Sequence, residues 1–345
     1  MRILVVGNMG YVGPVVVRHL RNRFPAATLV GYDNCLFGQC LTTSGPFPEI
    51  MLDAQYFGDV RDIPAHFMNG TDAVVHLAAI SNDPMGSRFE EVTDQINRGG
   101  SLHLAKMAAS AGVRHFAFAS SCSVYGVAGG LPRKESDPVE PLTAYARSKI
   151  ETERALMHMD VGEMAITCLR FATACGFSDR LRLDLVINDF VAGALTSGEI
   201  TVLSDGTPWR PLIHVRDMAR ALEWAITRKG DRHLVVNAGS DAWNYTVRDL
   251  AEAVAQHLPG TTVHINTEAP PDRRSYKVDF SFFHKIAPDF VPQVSLSEAI
   301  AELISGLRGI GFSDPDFRNS SLIRLHALKH MMDAGYLGQD LRWVR

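Results

Sequence analysis

The sequence predicts an α/β fold in which a parallel β-sheet carries helices on both faces. Short apolar runs are typical of buried parallel strands, at residues 3–6, 28–32, 73–77, 115–119 and 164–171. Helical patterns separate several of these runs, at about residues 12–20, 101–111 and 145–157. Strands that alternate with helices in this way indicate βαβ units and hence a doubly wound sheet.

The second half of the chain predicts a smaller α/β domain. After about residue 175 the alternation loosens, although further helices and short strands are expected. We expect a first domain over residues 1–175, to which elements from about 210–240 return, and an interleaved second domain over residues 176–310. The more polar residues 311–345 form a C-terminal extension.

Composition and charge are those of an ordinary globular protein. The 345 residues are 46% hydrophobic and 21% charged, with a formal net charge of −4. No basic excess indicates nucleic-acid binding, and no cationic tract or apolar run of roughly 20 residues indicates a membrane. The five cysteines are scattered and match neither a zinc site nor a disulfide framework, so no metal is expected and the cytoplasm is the expected location.

A glycine-rich turn follows the first predicted strand. Gly7, Gly10 and Gly13 are spaced G-x-x-G-x-x-G, with Tyr11 and Val12 between the last two, and a predicted helix begins directly afterwards. Glycines allow a tight turn and let backbone N–H groups approach a diphosphate, whose charge the helix N-terminus stabilises. This context predicts a dinucleotide-binding Rossmann domain.

An aspartate at the end of the second strand indicates which dinucleotide binds. Asp33 comes 20 residues after Gly13. A carboxylate at this point accepts hydrogen bonds from the adenosine ribose and repels a 2′-phosphate, so NAD is favoured over NADP. Asp59 follows the third strand and is expected to bond the adenine amine.

A tyrosine and a lysine form the candidate catalytic pair. Tyr145 and Lys149 stand four residues apart, which places them on one face of the predicted helix. An adjacent ammonium favours the phenolate of a tyrosine, whose pKa in water is about 10, and so makes it a general base. Two strand ends agree with this role, because residues 120–125 are crowded with hydroxyls and residues 78–79 are small enough to lie against a cofactor.

In this combination of motifs the chain resembles the extended short-chain dehydrogenase/reductase superfamily, and within it the NAD-dependent nucleotide-sugar epimerase/dehydratase family. The matching segments are the glycine turn, Asp33, Asp59–Val60, His76–Ala79, Asn97, the Ser-Ser-x-x-Val-Tyr-Gly strand end from Ser120, Tyr145 with Lys149, Leu169–Phe171 and Asp205–Asp217. They cover about residues 1–305. The resemblance implies an NAD-binding Rossmann domain and a smaller C-terminal domain that binds a nucleotide sugar.

The resemblance also implies roles for individual residues. Ser121, Tyr145 and Lys149 are similar to the family's catalytic residues, and Arg210 is similar to the arginine that pairs with the substrate diphosphate, for which a guanidinium fork is suited. The residues expected to bind NAD are Gly7, Gly10, Tyr11, Val12, Gly13, Asp33, Asn34, Asp59, Val60, Leu77, Ala78, Ala79, Asn97, Ser120, Tyr145, Lys149 and Phe171. Those expected to bind the nucleotide sugar are Ser121, Cys122, Ser123, Thr173, Asn188, Arg210 and Arg274.

Several positions depart from the family pattern. Where 4,6-dehydratases carry Asp-Glu directly after the catalytic hydroxyl, this chain has Cys122 and Ser123. Neither is an acid at pH 7, which disfavours that reaction, although Cys122 would serve as an acid/base if its thiol pKa were depressed. Thr173 stands where a substrate-binding Asn is usual, and the usual arginine of the second phosphate site is absent, so Arg273 or Arg274 is expected to replace it.

The sequence favours an NAD-dependent epimerase that inverts C4 of a nucleotide hexose through a transient 4-keto sugar. Asp33 argues against a ketoreductase, which usually takes NADPH, and the missing Asp-Glu pair argues against the standard dehydratase; both stay open as alternatives. A non-catalytic NAD sensor is a remote alternative, because Ser121, Tyr145 and Lys149 are all present. The resemblance also implies a homodimer, formed through the helix that begins near Tyr145 and the helix that precedes His115.

Overall fold

The computed structural model describes residues 1–43, 45–81, 85, 88–127, 130–269 and 274–344. The strands are β1 (Arg2–Val6), β2 (Thr28–Asp33), β3 (Ala54–Phe57), β4 (Ala73–His76), β5 (His115–Ser121), β6 (Ala165–Phe171), β7 (Thr173–Cys175), β8 (Glu199–Val202), β9 (Trp209–His214), β10 (His233–Ala238), β11 (Asn244–Thr246) and β12 (Thr262–Ile265). The α-helices are α1 (Gly13–Arg23), α2 (Glu90–Asp94), α3 (Ser101–Ser110), α4 (Ala144–Met157), α5 (Val186–Ser197), α6 (Val215–Thr227), α7 (Val247–His257), α8 (Ser281–Ile286), α9 (Leu296–Gly309) and α10 (Arg324–Asp333).

One parallel sheet of seven strands has the order β10-β6-β5-β4-β1-β2-β3. This confirms the predicted doubly wound sheet, whose strand order reverses between β1 and β4. The edge strand β10 pairs with β6, so the chain returns to the large sheet after it has formed strands β7, β8 and β9 of the smaller sheets. In sheets of this kind a crevice lies at the carboxyl edge, where the strand order reverses.

Both faces of the large sheet are buried, as its apolar strands predict. Along β1, Ile3 and Val5 point into a core cluster that α1 and α6 share. Leu4 and Val6 point into a second cluster, to which α3 and α4 contribute. Because successive side chains of a strand point to opposite faces, a strand that is covered on both sides is apolar throughout.

The other strands form a smaller α/β unit. β7, β9 and β11 make a mixed three-stranded sheet, and β8 pairs with β12 in parallel. Helix α5 packs on β8, and α7 and α9 pack on α5. Strand β7 follows β6 after one residue, so the end of the large sheet leads directly into the smaller unit.

Helix α10 and the residues after it pack against the large sheet. Leu328 and Met331 of α10, together with Leu337 and Leu341, are buried in the same core cluster as Leu4. The last residues of the chain therefore cover the domain in which it begins. In the described part of the chain no helix is long and apolar enough to cross a membrane.

Candidate active site

A cavity of about 1000 Å³ opens at the carboxyl edge of the large sheet. Its walls come from the ends of β1, β2, β4, β5 and β6 and from α5, β8 and β9 of the second domain. Open α/β sheets bind ligands where the strand order reverses, which here is between β1 and β4. Most predicted site residues line it: Gly7, Gly10, Tyr11, Val12, Gly13, Asp33, Asn34, Val60, Leu77, Ala78, Ala79, Ser120, Ser121, Ser123, Tyr145, Lys149, Phe171, Thr173, Arg210 and Arg274.

Two glycines of the turn are required by the protein's own packing. Gly7 has a φ of +88°, and a β-carbon there would lie 2.4 Å from the backbone nitrogen of Ala78. A β-carbon at Gly13 would lie 2.1 Å from the carbonyl oxygen of Asn8. The first glycine therefore lets the end of β1 approach the loop after β4, and the last lets α1 start directly against the turn.

Gly10, in contrast, faces the cavity. A β-carbon at this position would meet only the carbonyl oxygen of Gly7, at an ordinary distance of 3.5 Å. Close behind it, α1 begins without a side-chain cap and without an acidic residue in its first turn, so its N–H groups are left to a ligand. An open cradle beside an uncapped helix N-terminus fits the diphosphate of NAD.

Asp33 is held in place by backbone N–H groups. Its carboxylate accepts a hydrogen bond from Met9 at 2.9 Å and another from Cys35 at 2.7 Å. Burial raises the pKa of Asp33, and these two donors oppose that rise. A carboxylate accepts about four hydrogen bonds, so acceptor capacity is left for ribose hydroxyls in the cavity.

Helix α4 brings the candidate catalytic residues Tyr145 and Lys149 to the same wall of the cavity. Thr143 caps α4, because its hydroxyl accepts from the N–H of Ala146 at 3.2 Å, and Tyr145 stands in the first turn. One turn later the Nζ of Lys149 donates to the carbonyl of Ala119 at 2.7 Å and lies 5.6 Å from the centroid of the Tyr145 ring. Burial lowers the pKa of Lys149 to about 7, and the carboxylate of Glu153 opposes this shift.

Ser121 is the last residue of β5 and also lines the cavity. Its oxygen accepts a hydrogen bond from the N–H of Ser123 at 3.2 Å, which does not occupy its O–H donor. Ser121, Tyr145 and Lys149 therefore converge on one space from a strand end and a neighbouring helix. This arrangement provides a base, a cation and a hydroxyl for proton transfer.

Two of the arginines predicted to bind the substrate also line the cavity. Arg210 of β9 and Arg274 both line the cavity, and Nη1 of Arg210 donates to the carbonyl of Trp209 at 2.9 Å. Thr173 is the first residue of β7, so in the sequence it follows the strand β6 of the large sheet and precedes both arginines. It also lines the cavity. Guanidinium groups suit a diphosphate. Arg273, the other candidate for the second phosphate site, lies outside the described residues.

Comparison with known proteins decides the family. The model of the NAD dependent epimerase/dehydratase family matches residues 3–239. The chain belongs to this family. Membership confirms the resemblance found in the sequence and confirms NAD as the cofactor.

Relatives within the epimerase/dehydratase family differ in their reactions. A UDP-glucose 4-epimerase of Streptomyces lividans is 28% identical over 277 residues, which cover 73% of this chain and 80% of that protein. UDP-glucuronic acid decarboxylase 1 of Arabidopsis thaliana is 25% identical over 319 residues, which cover 89% of this chain and 70% of that protein. These relatives support an enzyme that acts on nucleotide sugars.

Solved structures of the same fold agree. MoeE5 in complex with UDP-glucose and NAD aligns with a TM-score of 0.75 and 26% identity, covering 90% of this chain and 99% of that one. The NDP-hexosamine 5,6-dehydratase TunA aligns with a TM-score of 0.77 at 24% identity, covering 91% of this chain and 99% of that one, and shows the fold alone. The Rossmann architecture predicted from the sequence is therefore confirmed.

The structure places Cys122 and Asn188 away from the cavity and corrects their expected substrate contacts. Cys122 is completely buried, its thiol donates to the carbonyl of Arg170 at 3.1 Å, and burial raises its pKa, so it is no acid/base. Asn188 is also completely buried, where it accepts from the N–H of Gly176 at 3.2 Å and donates to the hydroxyl of Tyr11 at 3.1 Å. Both residues support the cavity from behind.

Two residues expected to bind NAD, Asn97 and Asp59, hydrogen-bond to other parts of the protein. Asn97 is completely buried, and its amide bonds both backbone groups of Ile80, at 2.8 and 3.0 Å, which fixes the loop after β4. Both carboxylate oxygens of Asp59 accept hydrogen bonds from the Arg61 guanidinium, at 2.9 and 2.5 Å. Neither is among the described residues that line the cavity, whereas Val60, beside Asp59, is.

A buried ion pair behind the catalytic residues escaped the sequence analysis. Nε and Nη2 of Arg170 donate to one carboxylate oxygen of Glu153 at 3.0 and 2.8 Å, and the hydroxyl of Ser120 donates to the other. Glu153 follows Lys149 by four residues, as Lys149 follows Tyr145, so all three share a face of α4. That repeated spacing was the signal in the sequence.

Charged residues without a recognisable motif also reach the cavity. Arg182 donates to the carboxylate of Asp184 at 2.9 and 3.0 Å and to the hydroxyl of Ser81 at 2.9 Å, and it interacts electrostatically with Tyr145. Arg324, the first residue of α10, lines the cavity from the C-terminal extension. No periodicity or spacing in the sequence connects these residues to the site.

Proposed function

We propose that this chain is an NAD-dependent nucleotide-sugar epimerase that inverts C4 of a nucleotide hexose. The observation that carries the proposal is that Ser121, Tyr145 and Lys149 line one cavity with the glycine turn and Asp33. The UDP-glucose 4-epimerase among the relatives supports it. The solved MoeE5 complex, which contains both UDP-glucose and NAD, supports a cavity that holds a nucleotide sugar beside the cofactor.

In the first half of the reaction the phenolate of Tyr145 takes the proton of the sugar 4-hydroxyl as C4 is oxidised to a ketone. Lys149 stabilises that phenolate by its positive charge, and Ser121 donates a hydrogen bond to the same sugar oxygen. When bound, NAD supplies the hydride acceptor and donor that this chemistry needs. The transient product is a 4-keto sugar.

In the second half the ketone presents its other face, and Tyr145 returns the proton to the new hydroxyl. The sugar must turn without leaving, so the enzyme has to hold the nucleotide diphosphate while it releases the sugar ring. We assign this task to Arg210 and Arg274, and their position in the lining of the cavity supports the assignment. Inversion at C4 then follows from a hydride returned to the opposite face.

The carboxylates in the cavity argue against elimination of water. Asp184 is held by Arg182, and Asp189 accepts two hydrogen bonds from Arg318, at 2.8 Å each. The positions after Ser121 offer only a buried thiol and a serine hydroxyl. A 4,6-elimination needs a positioned acid and base beside the hexose. Epimerisation needs only the one proton at the 4-hydroxyl, which Tyr145 takes and returns, and no second acid and base at neighbouring carbons.

The decisive experiment is turnover of a panel of nucleotide hexoses by the purified protein, with NMR of the products and deuterium analysis in D₂O. We expect a C4 epimer, tightly retained NAD and no deuterium at the inverted carbon, because the same hydride leaves and returns. A product that has lost water would indicate a dehydratase and not an epimerase. Consumption of added NADH or NADPH would indicate a ketoreductase. Deuterium at the inverted carbon would indicate deprotonation beside a ketone.

We further propose that the enzyme is a homodimer that acts in the cytoplasm. The proposed interface consists of α3 and α4, which the resemblance implies. Helix α4 carries Tyr145 and Lys149, so its packing on a partner would stabilise the catalytic wall. Sedimentation equilibrium at micromolar concentration should give twice the mass of the chain, and a strictly monomeric mass would contradict this interface.

A further inference from the structure

Arg324 is a buried cation in the C-terminal extension, outside the segment that matches the family model. It is 1% exposed and lines the cavity. Nη2 donates to the carbonyl of Arg180 at 2.7 Å, and the guanidinium lies 5.0 Å from the centroid of the Phe37 ring. Within the described part of the chain Nη1 has no hydrogen-bond partner. Such a buried, unsatisfied cationic donor is unfavourable unless a ligand completes its hydrogen bonding.

Neighbouring arginines of the cavity region are neutralised, whereas Arg324 is not. Each of three others donates to its own carboxylate; the pairs are Arg180 with Glu49, Arg182 with Asp184 and Arg318 with Asp189. Among the described residues no carboxylate lies within ion-pair distance of Arg324. Burial lowers the pKa of Arg324 to about 10, although a hydrogen bond with the Cys40 thiol and the charge of Asp184 oppose the shift, so its guanidinium keeps its charge at pH 7. A positive charge is therefore left for an anion.

The position of Arg324 indicates which anion. Arg180, whose carbonyl it bonds, interacts electrostatically with Asp33 at the adenosine end of the cavity. Arg182, with which Arg324 also interacts, is coupled in the same way to Tyr145 at the catalytic end. The Phe37 ring beneath the Arg324 guanidinium lines the cavity in the loop after β2, which also carries Asn34. Arg324 therefore lies on the side of the cavity where the adenosine ribose is expected, and the anion next to that ribose in NAD is the diphosphate.

We propose that Arg324 binds the diphosphate of NAD, so that the C-terminal extension completes the cofactor site. The end of the extension is fastened to the adenosine side of the same site. Nε1 of Trp343 donates to the carbonyl of Asn34 at 2.6 Å, and Nη1 of Arg61 donates to the carbonyl of Asp340 at 2.9 Å. Asn34 follows Asp33 and lines the cavity. The extension thus holds the cofactor directly by Arg324 and indirectly by bracing the loop after β2.

The test is Arg324→Met in the full-length protein, freed of nucleotide, with calorimetric binding of NAD, ADP and adenosine. We expect the variant to bind NAD and ADP about 10- to 100-fold more weakly, which is the loss typical of a charge-assisted hydrogen bond. Its affinity for adenosine, which has no phosphate, should be unchanged. Lys329→Met removes an exposed cation from the same helix and should leave all three affinities unchanged.

Other results would overturn the inference. Equal NAD affinity in folded Arg324→Met, judged by circular dichroism and thermal melting, would remove the contact. An equal loss for adenosine and ADP would mean that Arg324 only shapes the fold. If Arg324→Met bound UDP more weakly than the wild type but bound NAD equally well, Arg324 would belong to the substrate site and not to the cofactor site. If Arg324→Met does not fold, Trp343→Phe should speed NAD release in gel filtration, and unchanged retention would contradict the bracing role. None of these readouts depends on epimerase activity.

Discussion

The ammonium of Lys149 donates a hydrogen bond to the carbonyl of Ala119 at 2.7 Å and so connects the catalytic helix to the strand that ends in Ser121. This bond fixes α4 relative to β5, and the ion pair of Glu153 with Arg170 lies directly behind it. The lysine is buried, and burial lowers its pKa to about 7. The catalytic wall therefore contains a charge that the folded protein bears at some cost.

Replacing Lys149 by Met should stabilise the NAD-free protein in a pH-dependent way. The pKa is about 7 in the folded state and about 10.4 in an unfolded chain, so between these values the unfolded state binds more protons and the lysine makes stability rise with pH. Below pH 7 the full cost of the buried ammonium is present. We expect the melting temperature of Lys149→Met to exceed that of the wild type most below pH 7, and the difference to vanish near pH 10.

Thermal melts from pH 6 to pH 10 test this expectation. Lys106→Met, which removes an exposed lysine from α3, is the control and should shift the melting temperature little at any pH. If the melting temperatures of Lys149→Met and the wild type differed by the same amount at every pH from 6 to 10, the difference would come from packing and not from the charge of the lysine.

Tyr145→Phe should lower kcat by about 10²- to 10⁴-fold, because positioned proton transfer contributes an acceleration of that size. NAD affinity should stay within a few-fold of the wild type. Steady-state kinetics together with calorimetry separate the two effects. Tyr336→Phe, which alters a tyrosine that is 60% exposed, is the control. Retention of more than a tenth of kcat by Tyr145→Phe would rule out this tyrosine as the base.

Gly10→Ala and Gly13→Ala should separate cofactor binding from folding. A β-carbon at Gly10 meets only Gly7 at 3.5 Å, so the variant should fold with a nearly unchanged melting temperature and bind NAD at least about tenfold more weakly. A β-carbon at Gly13 lies 2.1 Å from the Asn8 carbonyl, so that variant should lose stability first. Melting curves and NAD titrations of both proteins check this; wild-type affinity in Gly10→Ala would mean that the diphosphate lies elsewhere.

Asp33 should make the protein bind NAD at least about 100-fold more tightly than NADP, since juxtaposed like charges cost several kcal/mol. Asp33→Asn keeps the size of the side chain and removes its charge. We expect Asp33→Asn to reduce the ratio of NAD affinity to NADP affinity by at least about tenfold. Calorimetric titration with both dinucleotides measures the ratio, and equal affinities in the wild type would disprove this role of the carboxylate.

Arg210→Ala should raise KM for the nucleotide sugar about 10- to 100-fold, because a charge-assisted contact to the diphosphate is lost. The affinity for NAD should not change. Arg248→Ala, on the neighbouring helix α7, is the matched control. An unchanged KM in Arg210→Ala, or equal activity on a free hexose, would remove the nucleotide from the recognised substrate.

Local patterns predicted the parts of the site that depend on local geometry. The strand, turn and helix around Gly7 and Gly13, and the single helix face that holds Tyr145 and Lys149, follow from spacing alone. The substrate contact predicted for Cys122 is not formed, because β5 ends before this residue and a tight turn begins there. In that turn Ser121 and Ser123 face the cavity, and the side chain between them points into the core.

The missed residues depend on contacts between distant parts of the chain. Arg324 bonds Arg180 across 144 positions, and Trp343 reaches Asn34 across 309. The two partners are too far apart in the sequence for any local pattern to include both. From sequence alone, an arginine in a polar segment cannot be distinguished from an exposed surface arginine. Asn188 was misplaced for a similar reason, since only the packing of α5 determines that it faces Tyr11 and Gly176 and not the cavity.

The pairing of β10 with β6 determines when the large sheet can be completed during synthesis of the chain. At translation rates of about 5–20 residues per second, the residues between Phe171 and Ala238 take several seconds to leave the ribosome. During that interval β6 is an open sheet edge, and the buried part of the extension is not yet made. The nascent chain therefore exposes an unpaired, apolar sheet edge until Ala238 has emerged, and chaperones that shield such edges would act in that interval.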